Sequence, residues 1–173
     1  MRISKKFFTR DVLEVAPDLL GKFICRKFKD GSIQRNFIVE VEAYRGEEDM
    51  ACHARFGKTR RNQVMYEEGG KIYVYLIYGM YWMLNIVTGG KADPQAVLIR
   101  GVEDLTGPGR VGKWLLLDKS FYGEDVTTSK RLWIEQGSIF GKFFVKQTSR
   151  IGVDYAGEWA KKPWRFVLVE RRK

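Results

Sequence analysis

Cysteine and histidine are scarce in this chain. Of its 173 residues, two are cysteine and one is histidine. Cys25 and Cys52 have no close spacing, which argues against a zinc site and against a disulfide framework. A single imidazole, His53, excludes a histidine-rich metal centre. Neither a metal nor an organic cofactor is implied. No apolar run approaches membrane-spanning length. The basic start, Met1-Arg2-Ile3-Ser4-Lys5-Lys6, is not followed by an apolar signal region, so no membrane association and a cytosolic site of action are expected. Internal repeats, low-complexity tracts and domain boundaries are also missing, and residues 1–173 read as one domain with one core.

Positive charge is plentiful. Lys and Arg number 31 against 21 Asp and Glu, a formal charge of +10. That surplus favours a polyanionic partner. A generally basic soluble protein would show the same balance, so the motifs must decide.

The most informative segment runs from Tyr73 to Asn85, where four tyrosines, a tryptophan and one asparagine interrupt an apolar pattern. A core has little use for phenols, because each buried hydroxyl needs a hydrogen-bond partner. Flat amphipathic rings beside a basic surface suit the grip of a planar, unstacked base. Lys71 to Tyr78 and Tyr81 to Val87 read as two strands joined at Gly79-Met80. Tyr73, Tyr75 and Ile77 share a face, Asn85 shares one with Tyr81 and Met83, and Tyr78 and Met80 form an exposed tip.

The remaining pattern predicts hairpins with peripheral helices. Asp11 to Leu20 reads as helical with Gly21 as its stop, the regular part starting near Ala16 so that Pro17 falls in the first turn. Lys22 to Phe28 and Ser32 to Tyr44 read as strands around a Lys29-Asp30-Gly31 turn. In the second of these, alternation sets Phe37, Val39, Val41 and Ala43 against Ile38, Glu40, Glu42 and Tyr44. Arg45 to Gly70 reads as a long charged stretch without regular structure. Its segment Arg55 to Asn62 has four cations in eight residues, suited to solvent or to phosphate. Gln95 to Arg100, Leu132 to Ile134, Lys142 to Thr148 and Trp164 to Glu170 read as strands, and Arg110 to Leu117 as a short helix. The sum is an α+β fold with a largely antiparallel curved sheet.

At this level the residues match a family. Val41-Glu42-Ala43-Tyr44, Ala51-Cys52-His53-Ala54, Gly57 to Asn62, Tyr73 to Tyr81 with Asn85, Val97 to Arg100, Arg150-Ile151-Gly152-Val153 and Ala156 to Pro163 occur in one order. With them, the chain resembles the alkyladenine (3-methyladenine) DNA glycosylases of base-excision repair from about Phe7 to Phe166. Arg60 departs from the family's usual proline, Cys52 from its alanine or serine, and Pro17 is unusual in the first helix.

The resemblance implies a monomeric enzyme that flips damaged purines out of double-stranded DNA and cuts the base–sugar bond with water. The products are a free base and an abasic site; 3-methyladenine, 7-methylguanine, hypoxanthine and ethenoadenine are the implied lesions. Glu42 matches the general base, although Glu40 has the same strand parity. Arg100 and the carbonyl of Ile151 would position the water. Tyr44 and His53 would cover one face of the base and Tyr75 the other, with His53 oriented by Tyr73. Asn85 would disfavour normal guanine by crowding its amino group. Tyr78 would be the intercalating wedge, with Met80 in support. Lys58, Arg60 and Arg61 are plausible phosphate contacts. Cationic lesions would gain cation–π attraction from the rings. No lysine stands in the motif strands beside Glu42, so neither a Schiff base nor strand nicking is expected. The action would be nucleoid-associated in a prokaryote and nuclear in a eukaryote. A competing reading is a non-catalytic nucleic-acid-binding module, like the RNA-binding C-terminal domain of methionyl-tRNA formyltransferases. Such a binder has no need of Glu42, Tyr44, His53, Tyr75, Asn85 and Arg100 together.

Overall fold

The computed structural model describes residues 1–137 and 143–171. After a one-turn helix, α1 (Lys5–Phe8), and α2 (Val12–Leu19) come β1 (Phe23–Lys27) and the long β2 (Ile33–Arg45). Next are β3 (Ile72–Ile77), β4 (Tyr81–Thr88), β5 (Gln95–Val102), a two-residue β6 (Leu105–Thr106) and α3 (Pro108–Trp114). The chain then forms β7 (Leu132–Glu135), β8 (Phe143–Thr148) and β9 (Arg165–Glu170). All pairings are antiparallel, in the order β3-β4-β5-β2-β1-β7, with β9 joining β2 to β8. The sheet curls, and the helices lie at its periphery, giving an α+β fold. Among the described residues no helix is long and apolar enough to cross a membrane.

Period-two alternation divides the β3-β4-β5-β2 section into two faces. Val41, Ala43, Ile72, Leu84, Val97 and Ile99 join the main core, where α2 packs Val12, Val15, Ala16 and Leu19. The intervening residues Tyr44, Tyr73, Tyr75, Met83, Asn85, Leu98 and Arg100 line a cavity on the opposite face.

Three expectations need correction. The first is the start of α2, which begins at Val12 and not near Ala16, so Pro17 lies inside it in the last turn. Asp11 caps the helix by accepting from Leu13 N at 2.9 Å, and Val12 N donates to the buried Gln95 at 2.7 Å. Proline in a helix interior costs about 3 kcal/mol. Burying Val12, Val15 and Leu19 at roughly 1.5–3 kcal/mol each outweighs that cost.

The second concerns β2, whose two faces do not hold along its whole length. Its pairing with β5 is irregular on either side of Glu40. Ile38 belongs to the same core as Val41 and Ala43, an odd step that a regular strand would place on opposite faces. From Glu40 onward the expected parity is kept.

The third concerns residues 45–70, which are not structureless. They hold two 3₁₀ turns, His53–Phe56 and Gln63–Tyr66. The strand expected from Lys142 is present from Phe143, and Lys142 itself lies outside the described residues. The short α1 and β6 carried no signal long enough to read.

Helix α3 begins at Pro108, earlier than expected, with proline in its favoured first position. It packs close on β4, where a Cβ at Gly112 would fall 1.9 Å from the Trp82 carbonyl oxygen.

Candidate active site

Strand register lines up the cavity floor. Tyr73 pairs with Asn85, Asn85 with Leu98, Leu98 with Glu42, and Glu42 with Arg165. A single row of side chains therefore crosses five strands at about 4.8 Å per step.

Glu42 sits in this row with no solvent exposure. Oε2 accepts from the Tyr44 hydroxyl at 2.8 Å, and Oε1 accepts from the Ile151 backbone amide at 2.7 Å. Arg100 Nη1 lies 3.5 Å from Oε1. The Arg100 Nε also donates to Glu40 at 3.0 Å, so one guanidinium spans both carboxylates. Arg165 Nε meets the same Glu40 oxygen at 2.7 Å. Two carboxylates are thus held by two guanidiniums. Glu42 forms the layer beneath the cavity lining, and Tyr44, Arg100 and Ile151 stand between it and the open volume.

The cavity encloses about 210 Å³. That is small beside typical ligand pockets of roughly 300–1,000 Å³. His53 opens the first 3₁₀ turn, and its Nδ1 lies 2.7 Å from the Tyr73 hydroxyl. Burial, followed by the charges of Arg61 and Arg55, pushes the imidazole down to about 4. At neutral pH the ring is uncharged and is an ill-suited cation. Burial and then the Glu42 charge push the Tyr75 phenol up to about 12. Tyr44 is raised by the same two causes in the same order, and Tyr73 by burial above all. All three phenols therefore stay protonated.

The ring of Tyr75 touches that of His53 edge to face, with centroids 4.6 Å apart and planes at 66°. A flat base between two parallel rings needs about 7 Å, two contacts of about 3.5 Å. His53 and Tyr75 do not frame such a gap in this state. The cavity lies beside their contact, with Tyr44 and Asn85 also in its wall.

The expected site residues fall into three groups. Tyr44, His53, Tyr73, Tyr75, Asn85, Arg100 and Ile151 line the cavity together, over Glu42. Asn85 is buried and donates to the Tyr73 carbonyl at 3.1 Å. Tyr78 and Met80 stand apart at the β3–β4 hairpin tip, 88% and 56% exposed. Tyr78 and Gly79 both have positive φ, 52° and 66°. That combination belongs to tight hairpin turns, which normally use glycine or asparagine there. Lys58 and Arg60 are exposed away from the cavity, while the Arg61 side chain reaches its wall.

Several structural partners went unread in the sequence. Arg165 and Glu40 complete the ion cluster around Arg100. Asn62 donates to the carbonyls of His53 and Gly57 at 2.9 and 3.0 Å, fixing the loop between them. Asp49 and Arg150 form a buried pair behind Tyr44, with the Arg150 guanidinium 4.8 Å from the Tyr44 ring centroid. Tyr155 adds an exposed ring to the cavity edge. A buried Arg–Asp pair 101 residues apart in sequence leaves no periodic trace. Asn62 could have been suspected from the motif Arg60-Arg61-Asn62. Among the described residues no three His, Cys, Asp or Glu side chains gather as a metal site would require.

Comparison with known proteins adds an independent line. The family model described as Methylpurine-DNA glycosylase (MPG) matches residues 6–106 and 103–172. A protein of Methanocella arvoryzae is 42% identical, covering 95% of this chain and 90% of its own length. One from Anaeromyxobacter sp. is 40% identical over 97% of this chain and 89% of its own. One from Legionella pneumophila is 38% identical over 98% and 95%. All three bear the provisional name of a 3-methyladenine DNA glycosylase.

Proposed function

The chain belongs to the methylpurine-DNA glycosylase family, and from that footing we propose that it removes alkylated or deaminated purines from duplex DNA by direct attack of water. The observation that carries this reading is the Glu42 carboxylate. It is buried, held by two hydrogen-bond donors and balanced by the Arg100 charge, directly beneath a cavity of aromatic rings.

In this mechanism the damaged nucleotide leaves the stack and its base enters the cavity. Extrusion is cheapest for a base whose pairing or stacking is already weak. Tyr78 fills the vacated space in the helix, and a minor-groove wedge of this kind kinks the duplex. As the base–sugar bond lengthens, positive charge grows on the sugar, and the Glu42 carboxylate stabilises it. Water bonds to C1′ and passes its proton to Glu42, while the electron pair of the broken bond stays with the base. A cationic alkylated purine departs neutral; a neutral purine departs as an anion and takes its proton from solvent water. Arg100 and the Ile151 amide keep the carboxylate pointed at the sugar. The Ile151 carbonyl remains the candidate acceptor for the attacking water. Lys58 and Arg60 supply sequence-independent grip on phosphates. The protein acts as a monomer and needs no cofactor, and its place is with the chromosome.

Duplex oligonucleotides holding one hypoxanthine or one ethenoadenine test the reading. Free base should be released, with strand scission only after alkali. Scission before alkali, together with an adduct trapped by borohydride, would exclude hydrolysis by water. Glu42→Gln should retain lesion binding and lose turnover, and an active Gln variant would remove Glu42 as the base.

A further inference from the structure

Two charged side chains line the cavity, Arg61 and Arg100. Arg100 is balanced by Glu40 and Glu42, and Arg165 balances the remaining charge of that pair. None of the ion pairs within 4.0 Å among the described residues includes the Arg61 guanidinium. Its charge therefore stands at the cavity wall, solvent-exposed but without a carboxylate partner. The group has a definite position: its Cζ lies 5.2 Å from the Tyr75 ring centroid. The backbone beneath it is pinned, since the Tyr122 hydroxyl donates to the Arg61 carbonyl at 3.1 Å and the neighbouring Asn62 is tied to His53 and Gly57. The field of Arg61 is felt throughout the site, where it helps hold His53 neutral and opposes the upward shifts of Tyr73 and Tyr75.

We propose that Arg61 is a specificity-determining residue that biases this cavity toward neutral damaged purines and against cationic ones; the proposal rests on the glycosylase reading above. Electron-rich rings attract a cationic base through their faces. Here the Tyr75 face already has a resident cation. An incoming cationic purine loses that attraction and meets an unpaired like charge at the cavity mouth. A neutral purine such as hypoxanthine meets no such repulsion, and its exocyclic carbonyl oxygen can accept from the guanidinium once Arg61 swings aside.

A pure phosphate contact would behave differently, because it would strengthen DNA binding equally for every lesion. The test is single-turnover excision at saturating enzyme, which separates handling of the base from DNA affinity. Rates are taken for hypoxanthine and for 7-methylguanine in the same duplex, with spontaneous loss of 7-methylguanine subtracted. In Arg61→Met the cationic-to-neutral rate ratio should rise by roughly tenfold, the size expected for removing one partly screened charge about 6 Å away. Arg61→Gln should move the ratio the same way. Arg61→Lys, which keeps the charge, should stay near the wild-type ratio. An unchanged ratio in the Met and Gln variants, with both rates falling in parallel, would overturn the proposal. Release of neither base by the wild-type protein would instead defeat the glycosylase reading, and this proposal with it.

Discussion

Arg150 and Asp49 meet in a two-pronged ion pair with no exposure of either side chain: Nη1 lies 2.6 Å from Oδ2 and Nη2 2.8 Å from Oδ1. The same guanidinium donates to the Ala43 and Trp159 carbonyls at 2.9 and 3.0 Å. Asp49 in turn accepts from the backbone amides of Arg45 and Ala51. The pair binds the end of β2, the loop after it and the C-terminal segment into one unit behind Tyr44.

Removing one partner should cost more than an ordinary surface ion pair. Arg150→Met strands a buried carboxylate and should lower the unfolding free energy by roughly 3–5 kcal/mol. Asp49→Asn should cost a comparable amount. The double change to Met and Leu should cost less than the sum, because no unpaired charge remains. Urea denaturation midpoints of the three variants measure this directly.

Tyr78 should trade stability for activity. A non-glycine residue in the left-handed region is strained by roughly 1–2 kcal/mol, and asparagine tolerates that region better. Tyr78→Asn should therefore raise the unfolding free energy by up to about 1 kcal/mol while slowing excision. Excision at the wild-type rate in this variant would remove Tyr78 as the wedge.

Burial of His53 should make the protein acid-sensitive. Its ordinary value of 6.5 applies in the unfolded chain, and the folded value is near 4. Between those values the unfolded chain binds a proton that the folded one does not. This contribution is complete above pH 6.5, and as the pH falls toward 4 it declines by about 3 kcal/mol at most. Comparing unfolding at pH 7.5 and 4.5 for wild type and His53→Asn reads it out, since the variant should show a flatter dependence.

Affinity for undamaged duplex should fall steeply with salt. Lys58→Ala or Arg60→Ala should each reduce the log–log slope by about 1 if the residue neutralises one phosphate. Fluorescence anisotropy across a salt series would show this, and an unaltered slope would strike that residue from the interface.

The β3–β4 hairpin was legible because period two alone puts Tyr73, Tyr75 and Ile77 on one face and Tyr81, Met83 and Asn85 on one face. Gathering Tyr44, Tyr75, Asn85 and Arg100 at one cavity needed only the resemblance to order the strands. What stayed hidden depends on long-range contacts. Irregular pairing around Glu40 reversed the side of Ile38, and nothing local announces it. Helix α2 starts at Val12 because the Asp11 cap and four buried side chains outweigh the local proline rule. Arg61 read as one more phosphate-seeking cation. Only the folded loop shows its guanidinium over the Tyr75 ring.

The row Tyr73–Asn85–Leu98–Glu42–Arg165 limits how this chain can change length. An extra residue in the solvent-facing Lys29–Gly31 bend shifts nothing downstream of it. The same insertion inside β4 or β5 would turn the following side chains over and deliver aliphatic groups to the cavity. Viable insertions and deletions should therefore cluster at bends, leaving the spacing within these strands fixed while the amino acids around them drift.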